Sequence, residues 1–176
     1  MTAARQERKL LRLCTQYLGA AAAALLGAAL VGLGMGLIPR PIDAATTEWV
    51  VADHHTGLAI SGFDPVAYFT DSTATIGRPE LELRLAGATW RFRNEGNRAA
   101  FAADPDVYMP RFGGYDPIAV ARGASAPGHP EIWIVSDGRL YLFHSAVARD
   151  GFGEDPERVI HEAQRRWPQV LRTLVP

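Results

Sequence analysis

The clearest pattern along the chain is a strict alternation of apolar and polar positions. Leu81, Leu83 and Leu85 alternate with Glu82 and Arg84. After Ala86-Gly87 the pattern resumes, with Trp90 and Phe92 set among Thr89, Arg91 and Arg93. Successive side chains on a strand point to opposite faces, so this alternation predicts a β-hairpin with one apolar and one polar face. A second hairpin is signalled by Asp137-Gly138, which separates Glu131-Ile132-Trp133-Ile134-Val135 from Arg139-Leu140-Tyr141-Leu142-Phe143. Asp-Gly tolerates the positive φ that a two-residue turn requires. Both faces of this hairpin are apolar, which places it at the buried centre of the sheet. Trp90 and Trp133 are the expected core anchors of the two hairpins.

Helix-start signals punctuate the rest. Asp-Pro occurs at Asp64, Asp104, Asp116 and Asp155. Each is expected to be an N-cap followed by proline at the first helical position. Asn94 is expected to cap a helix to about Ala103, and Ser145 a shorter one. After Asp155, the positions Val159, Ile160, Ala163 and Trp167 follow helical spacing. Pro168 is expected to kink or break that helix. Trp49-Val50-Val51 and residues 58–60 read as short strands, and Phe112-Gly113-Gly114-Tyr115 as a glycine-rich turn. No tandem repeat of fixed period is read; Gly62-Phe63-Asp64-Pro65 and Gly114-Tyr115-Asp116-Pro117 merely echo each other. The expected fold class is α+β: a small antiparallel sheet of two β-hairpins packed with several short helices, preceded by an N-terminal hydrophobic helix.

That N-terminal helix rests on charge distribution. Arg5, Arg8, Lys9 and Arg12 precede residues 18–38, a run without a single charge. The run has the length needed to span a bilayer, which favours an uncleaved anchor over a cleaved signal. Basic residues before it place the N-terminus in the cytoplasm and residues 45–176 outside. Residues 1–45 therefore read as flank, anchor or signal segment and linker, and residues 46–176 as the folded domain. The expected location is the inner membrane, or the periplasm or exterior if the segment is cleaved.

Composition then narrows the chemistry. The chain has 176 residues, 48% hydrophobic and 21% charged, with a formal net charge of −1. Nothing in that balance points to nucleic acid as a partner. Cys14 is the single cysteine, so there is no intrachain disulfide and no multi-cysteine metal site. Nucleophile-elbow, His-Glu-x-x-His, phosphate-loop and dinucleotide motifs are all missing from the sequence, so a noncatalytic role is expected.

The exported part resembles a YHS domain. The carrying residues are Gly62-Phe63-Asp64-Pro65-Val66-Ala67-Tyr68-Phe69, Gly87-Ala88-Thr89-Trp90-Arg91-Phe92, and Asn97-Arg98-Ala99-Ala100-Phe101 with Asp104-Pro105 and Tyr108. Phe112-Gly113-Gly114-Tyr115, Gly138-Arg139-Leu140-Tyr141-Leu142 and Trp167-Pro168 continue the likeness, which spans roughly residues 58–170. Such modules are linked to heavy-metal handling, and some carry metal-binding cysteines. Here Asp116 stands where many relatives have cysteine, and Phe143-His144-Ser145 also lacks it, so a thiolate site does not carry over.

The resemblance brings Asp116 and His144 towards the glycine-rich turn and the end of the central strand. An imidazole and a carboxylate there suit a divalent ion such as zinc, or a small polar ligand. Asp64, Tyr68 and Tyr115 complete the expected ligand-binding set. As a pure N-cap, Asp116 would tolerate Asn with a change well under about 1 kcal/mol. His54 and His55 are adjacent and read as exposed, His129 as a loop residue and His161 as a solvated helix position. The expected function is an exported or membrane-tethered binding module for a metal ion or small ligand. The alternative is a structural module docking on an envelope protein.

Overall fold

The computed structural model describes residues 49–174, all within one compact unit, residues 44–176. The expected basic flank, the hydrophobic helix over residues 18–38 and the linker lie outside the described residues. Among the described residues no helix is long and apolar enough to cross a membrane.

A 3-10 turn at Ile60–Gly62 leads into helix α1 (Ala67–Thr70) and the hairpin β1 (Arg78–Leu85) and β2 (Ala88–Phe92). Helices α2 (Glu95–Ala103) and α3 (Pro105–Tyr108) follow. A second 3-10 turn, Arg111–Gly114, leads into α4 (Pro117–Ala121) and the hairpin β3 (His129–Ser136) and β4 (Arg139–Phe143). The described part closes with α5 (Ala146–Glu154) and α6 (Pro156–Leu174). The α+β class stands, but the two hairpins form two separate two-stranded sheets rather than one sheet. The edge of β2 is already occupied: Thr89 donates to Gly57 O and accepts from Ala59 N, both at 2.9 Å. The hairpins therefore meet through side chains.

The order of elements shows what the sequence echo means. The second half repeats the first, element for element. Gly62, Asp64 and Pro65 correspond to Gly114, Asp116 and Pro117, and Gly77, Pro79 and Glu80 to Gly128, Pro130 and Glu131. Phe92, Phe101 and Asp104-Pro105 correspond to Phe143, Phe152 and Asp155-Pro156. The hydrogen bonds match as well. Asp64 N donates to Thr75 O as Asp116 N does to Ala126 O, and Gly77 N to Gly62 O as Gly128 N does to Gly114 O. Register shifts fall between Arg78 and Glu82 in one hairpin and between His129 and Trp133 in the other. Positive φ recurs at Ile60, Ser61 and Gly62 and at Phe112, Gly113 and Gly114. This corrects the expectation that no repeat is present. Between the matching landmarks many paired positions change polarity, as Glu82 and Trp133 or Arg91 and Leu142 do, which hides the period.

Each repeat has its own core. Trp90, Phe92 and Phe101 pack with Tyr68 and Ile60, and Phe143, Phe152 and Tyr141 pack with Val120 and the α6 residues Val159, Ala163 and Val170. Strand β4 joins them: Leu140 and Leu142 face the first core, Tyr141 and Phe143 the second. A two-faced apolar strand belongs in such a position. Trp90 is wholly buried, but Trp133 is only half-buried, at the edge of the first core.

Three local expectations are corrected. Residues 49–51 form no strand, and residues 58–60 form isolated bridges, Leu58 to Thr89 and Ala59 to Ala52, and the start of a 3-10 turn. The Asp104 side chain makes no cap hydrogen bond. Helix α6 runs unbroken through Pro168. Proline removes one helical bond, to Gln164 O, but burial of Val159, Ala163 and Val170 along one stripe outweighs that loss.

Candidate functional site

Asp64 and Asp116 occupy equivalent places and do the same local work. Asp64 is fully buried. Its Oδ1 accepts from Val66 N at 2.8 Å and Ala67 N at 3.4 Å. Its Oδ2 accepts from Arg93 N at 2.8 Å and Asn97 Nδ2 at 2.7 Å. One carboxylate thus holds the turn leading into α1 and ties it to the end of β2 and the start of α2. Asp116, 2% exposed, accepts from Ile118 N and Ala119 N through Oδ1 and from His144 N through Oδ2 at 2.9 Å. Ala148 stands where repeat one has Asn97, so Asp116 lacks the fourth donor. Both carboxylate oxygens accept hydrogen bonds, which corrects the expectation that Asn is neutral at Asp116. An amide would set an NH₂ against a backbone N–H.

Asp116 and His144 do come together, but through the His144 backbone N–H. The imidazole is exposed, and its Nδ1 lies 3.2 Å from Pro127 O. A carbonyl only accepts, so Nδ1 is the donor in this contact. Tyr68 is buried, donates to Pro130 O at 2.9 Å and meets Trp133 edge to face. Burial, then the Asp64 and Glu131 charges, push its hydroxyl well above the ordinary value of 10.0. Tyr115 is buried against Trp167, with ring centroids 6.0 Å apart. The five expected residues are therefore distributed over both repeats, and Asp64 and Tyr68 are engaged in the first core. Among the described residues, no group of three or more His, Cys, Asp and Glu is placed to hold a metal ion.

A different place offers room for a ligand. A cavity of about 470 Å³ is lined by Asp106, Met109, Pro110, Arg111, Phe112, Arg139, Gln164 and Trp167. That size falls within the usual range for small-molecule sites. The end of α3, the second 3-10 turn, the start of β4 and the middle of α6 form its walls. Phe112 and Trp167 meet edge to face at 5.7 Å and supply an aromatic side. Arg111 lies 6.0 Å from the centroid of the Phe112 ring. Arg139 donates through Nη1 to Asp106 O at 2.8 Å. The Tyr141 hydroxyl senses both cations: burial raises its pKa, while Arg111 and Arg139 oppose the rise.

Reasoning from the sequence missed this site, having assigned Trp167 to the core and left both arginines unremarked. The missed signal was the repeat. Ala59 and Ala88 are the counterparts of Arg111 and Arg139, and both alanines are buried in the first core. No family model, curated protein or solved structure matches the chain.

Proposed function

We propose that residues 46–176 form a noncatalytic, YHS-type binding module for a small ligand, carried outside the cytoplasm by residues 18–38. The YHS-like motifs, in order from Gly62 to Trp167-Pro168, support the family reading. The basic flank and uncharged run support the location. The observation that carries the binding role is the cavity of about 470 Å³ between the second 3-10 turn, β4 and α6. Its polar groups are two guanidiniums, an amide and a carboxylate, set beside aromatic walls, a composition suited to holding a ligand in one orientation.

A metal reading rests on the exposed imidazole of His144, whose backbone N–H is held by the Asp116 carboxylate. Zinc there would need further ligands from the bound species or solvent, since a structural site takes four.

The test is native mass spectrometry of the full-length chain purified from membranes, with metal content measured in parallel. A bound small molecule, lost when Trp167→Ala opens the cavity wall, is the expected result. A chain that carries and takes up neither small molecule nor metal would remove the binding role. A reporter fused after Pro176 tests location: activity in the cytoplasm would contradict the export reading.

A further inference from the structure

We infer that the cavity between the second 3-10 turn, β4 and α6 binds a small organic anion, a carboxylate on a planar apolar body. This rests on the binding-module reading and names its ligand class. The argument begins with the two repeats. The same backbone positions, the residue just before the first positive-φ residue of the 3-10 turn and the first residue of the hairpin's second strand, carry Ala59 and Ala88 in one repeat. In the other they carry Arg111 and Arg139. The first repeat folds around alanine at both places, so the fold itself does not require arginine. The second repeat places both arginines on one cavity.

Those arginines are not neutralised by a neighbouring carboxylate. The described arginines that form ion pairs are Arg78, Arg91, Arg93, Arg98, Arg149, Arg158 and Arg165. Neither Arg111 nor Arg139 has a carboxylate partner within 4.0 Å among the described residues; Arg84, Arg122, Arg166 and Arg172 share that state but do not line the cavity. Arg139 gives one N–H to the Asp106 carbonyl and keeps the rest of its fork. Asp106 brings one negative charge to the rim against two positive ones, so the cavity keeps a positive surplus. Guanidinium forks match a planar carboxylate with paired hydrogen bonds.

The opposite wall sets the ligand's body. Helix α6 and α3 begin at equivalent Asp-Pro pairs, but α3 ends at Tyr108 while α6 continues to Leu174. The extension found in one repeat supplies Gln164 and Trp167. The Trp167 and Phe112 rings, set edge to face, form an apolar corner that a planar group can stack into, and the Gln164 amide offers one further donor. Both departures from the repeat, the arginines and the extended helix, thus meet at one cavity.

The experiment is calorimetric titration of the full-length chain in a neutral detergent with benzoate, benzamide, inorganic phosphate and zinc. Benzoate is expected to bind at least about tenfold more tightly than benzamide, as one charge-assisted hydrogen bond would give. Arg139→Gln and Arg111→Gln should each weaken benzoate about tenfold with unchanged melting, while Arg139→Lys retains part of the affinity. Equal binding of benzamide, tighter binding of phosphate, or an unaffected Arg111→Gln/Arg139→Gln double variant would each overturn the proposal. If no anion binds, the ligand class is wrong; the binding-module reading then fails as well only if zinc is also not taken up.

Discussion

At Asp64 and Asp116 a sequence signal was legible in kind but not in weight. Asp-Pro correctly marks the start of a helix, yet it does not reveal that Oδ2 also accepts from the end of the following hairpin. That second bond joins residues far apart in the chain, so no local pattern carries it. Asp64→Asn and Asp116→Asn should each destabilise by about 1–3 kcal/mol, because a buried N–H loses its acceptor. Chemical denaturation of both variants checks this; neutral variants would show that the carboxylates are interchangeable caps. Tyr68 gives a pH test. Its hydroxyl is held neutral in the fold, so its folded pKa lies above the unfolded value of about 10. A raised folded pKa contributes stability fully present below about pH 10 and lost as pH rises further. Tyr68→Phe should cost about 1 kcal/mol at neutral pH through the lost bond to Pro130 O. It should also lessen the alkaline loss, measured as the urea midpoint at about pH 7 and about pH 11. An unchanged alkaline loss would contradict this account of Tyr68.

Among the elements, those set by local chemistry were readable. Both hairpins, the Asn94 and Ser145 caps and the start of α6 follow from alternation, turn residues and capping side chains. The elements that depend on distant partners were not. Ile60 and Ser61 adopt positive φ in a 3-10 turn, which their strand-like composition does not suggest. The turn at Phe112-Gly113 is held by the chain before it: Val51 N donates to Gly113 O at 2.8 Å. A Cβ on Gly113 would fall 1.6 Å from Trp49 O, whereas one on Gly138 would meet nothing within 4 Å. Both glycines have positive φ, so alanine at either should cost about 1–2 kcal/mol in backbone strain. At Gly113 the backbone collision adds to it. Gly113→Ala should therefore lower the melting temperature well beyond Gly138→Ala, and equal effects would show that the 3-10 turn can move away from Trp49.

Across the whole molecule, the α+β class was legible and the duplication was not. Paired positions such as Trp90 and Tyr141, or Leu81 and Ile132, preserve burial and shape while changing identity. The expectation that Trp90 and Trp133 are both core anchors of their hairpins is also revised. Trp90→Ala should cost about 3–5 kcal/mol, as for a large buried aromatic. Trp133→Ala should cost less, because that ring is half-buried and Leu142 pairs opposite it within the hairpin. Comparable losses in denaturation would mean that the first core extends further over β3 than the structure places it.

The duplication also explains why such a cavity can arise in one half. A symmetrical scaffold supports two equivalent turns and hairpins, and only the repeat continued by α6 places Arg111, Arg139 and Trp167 around one cavity. The most direct measurement of that asymmetry is NMR mapping of amide and indole shifts in the full-length chain during benzoate titration. The account predicts shifts at Arg111, Phe112, Arg139 and the Trp167 indole, with Ala59, Ile60 and Ala88 unchanged. Shifts spread equally over both repeats, or confined to Asp116 and His144, would contradict it.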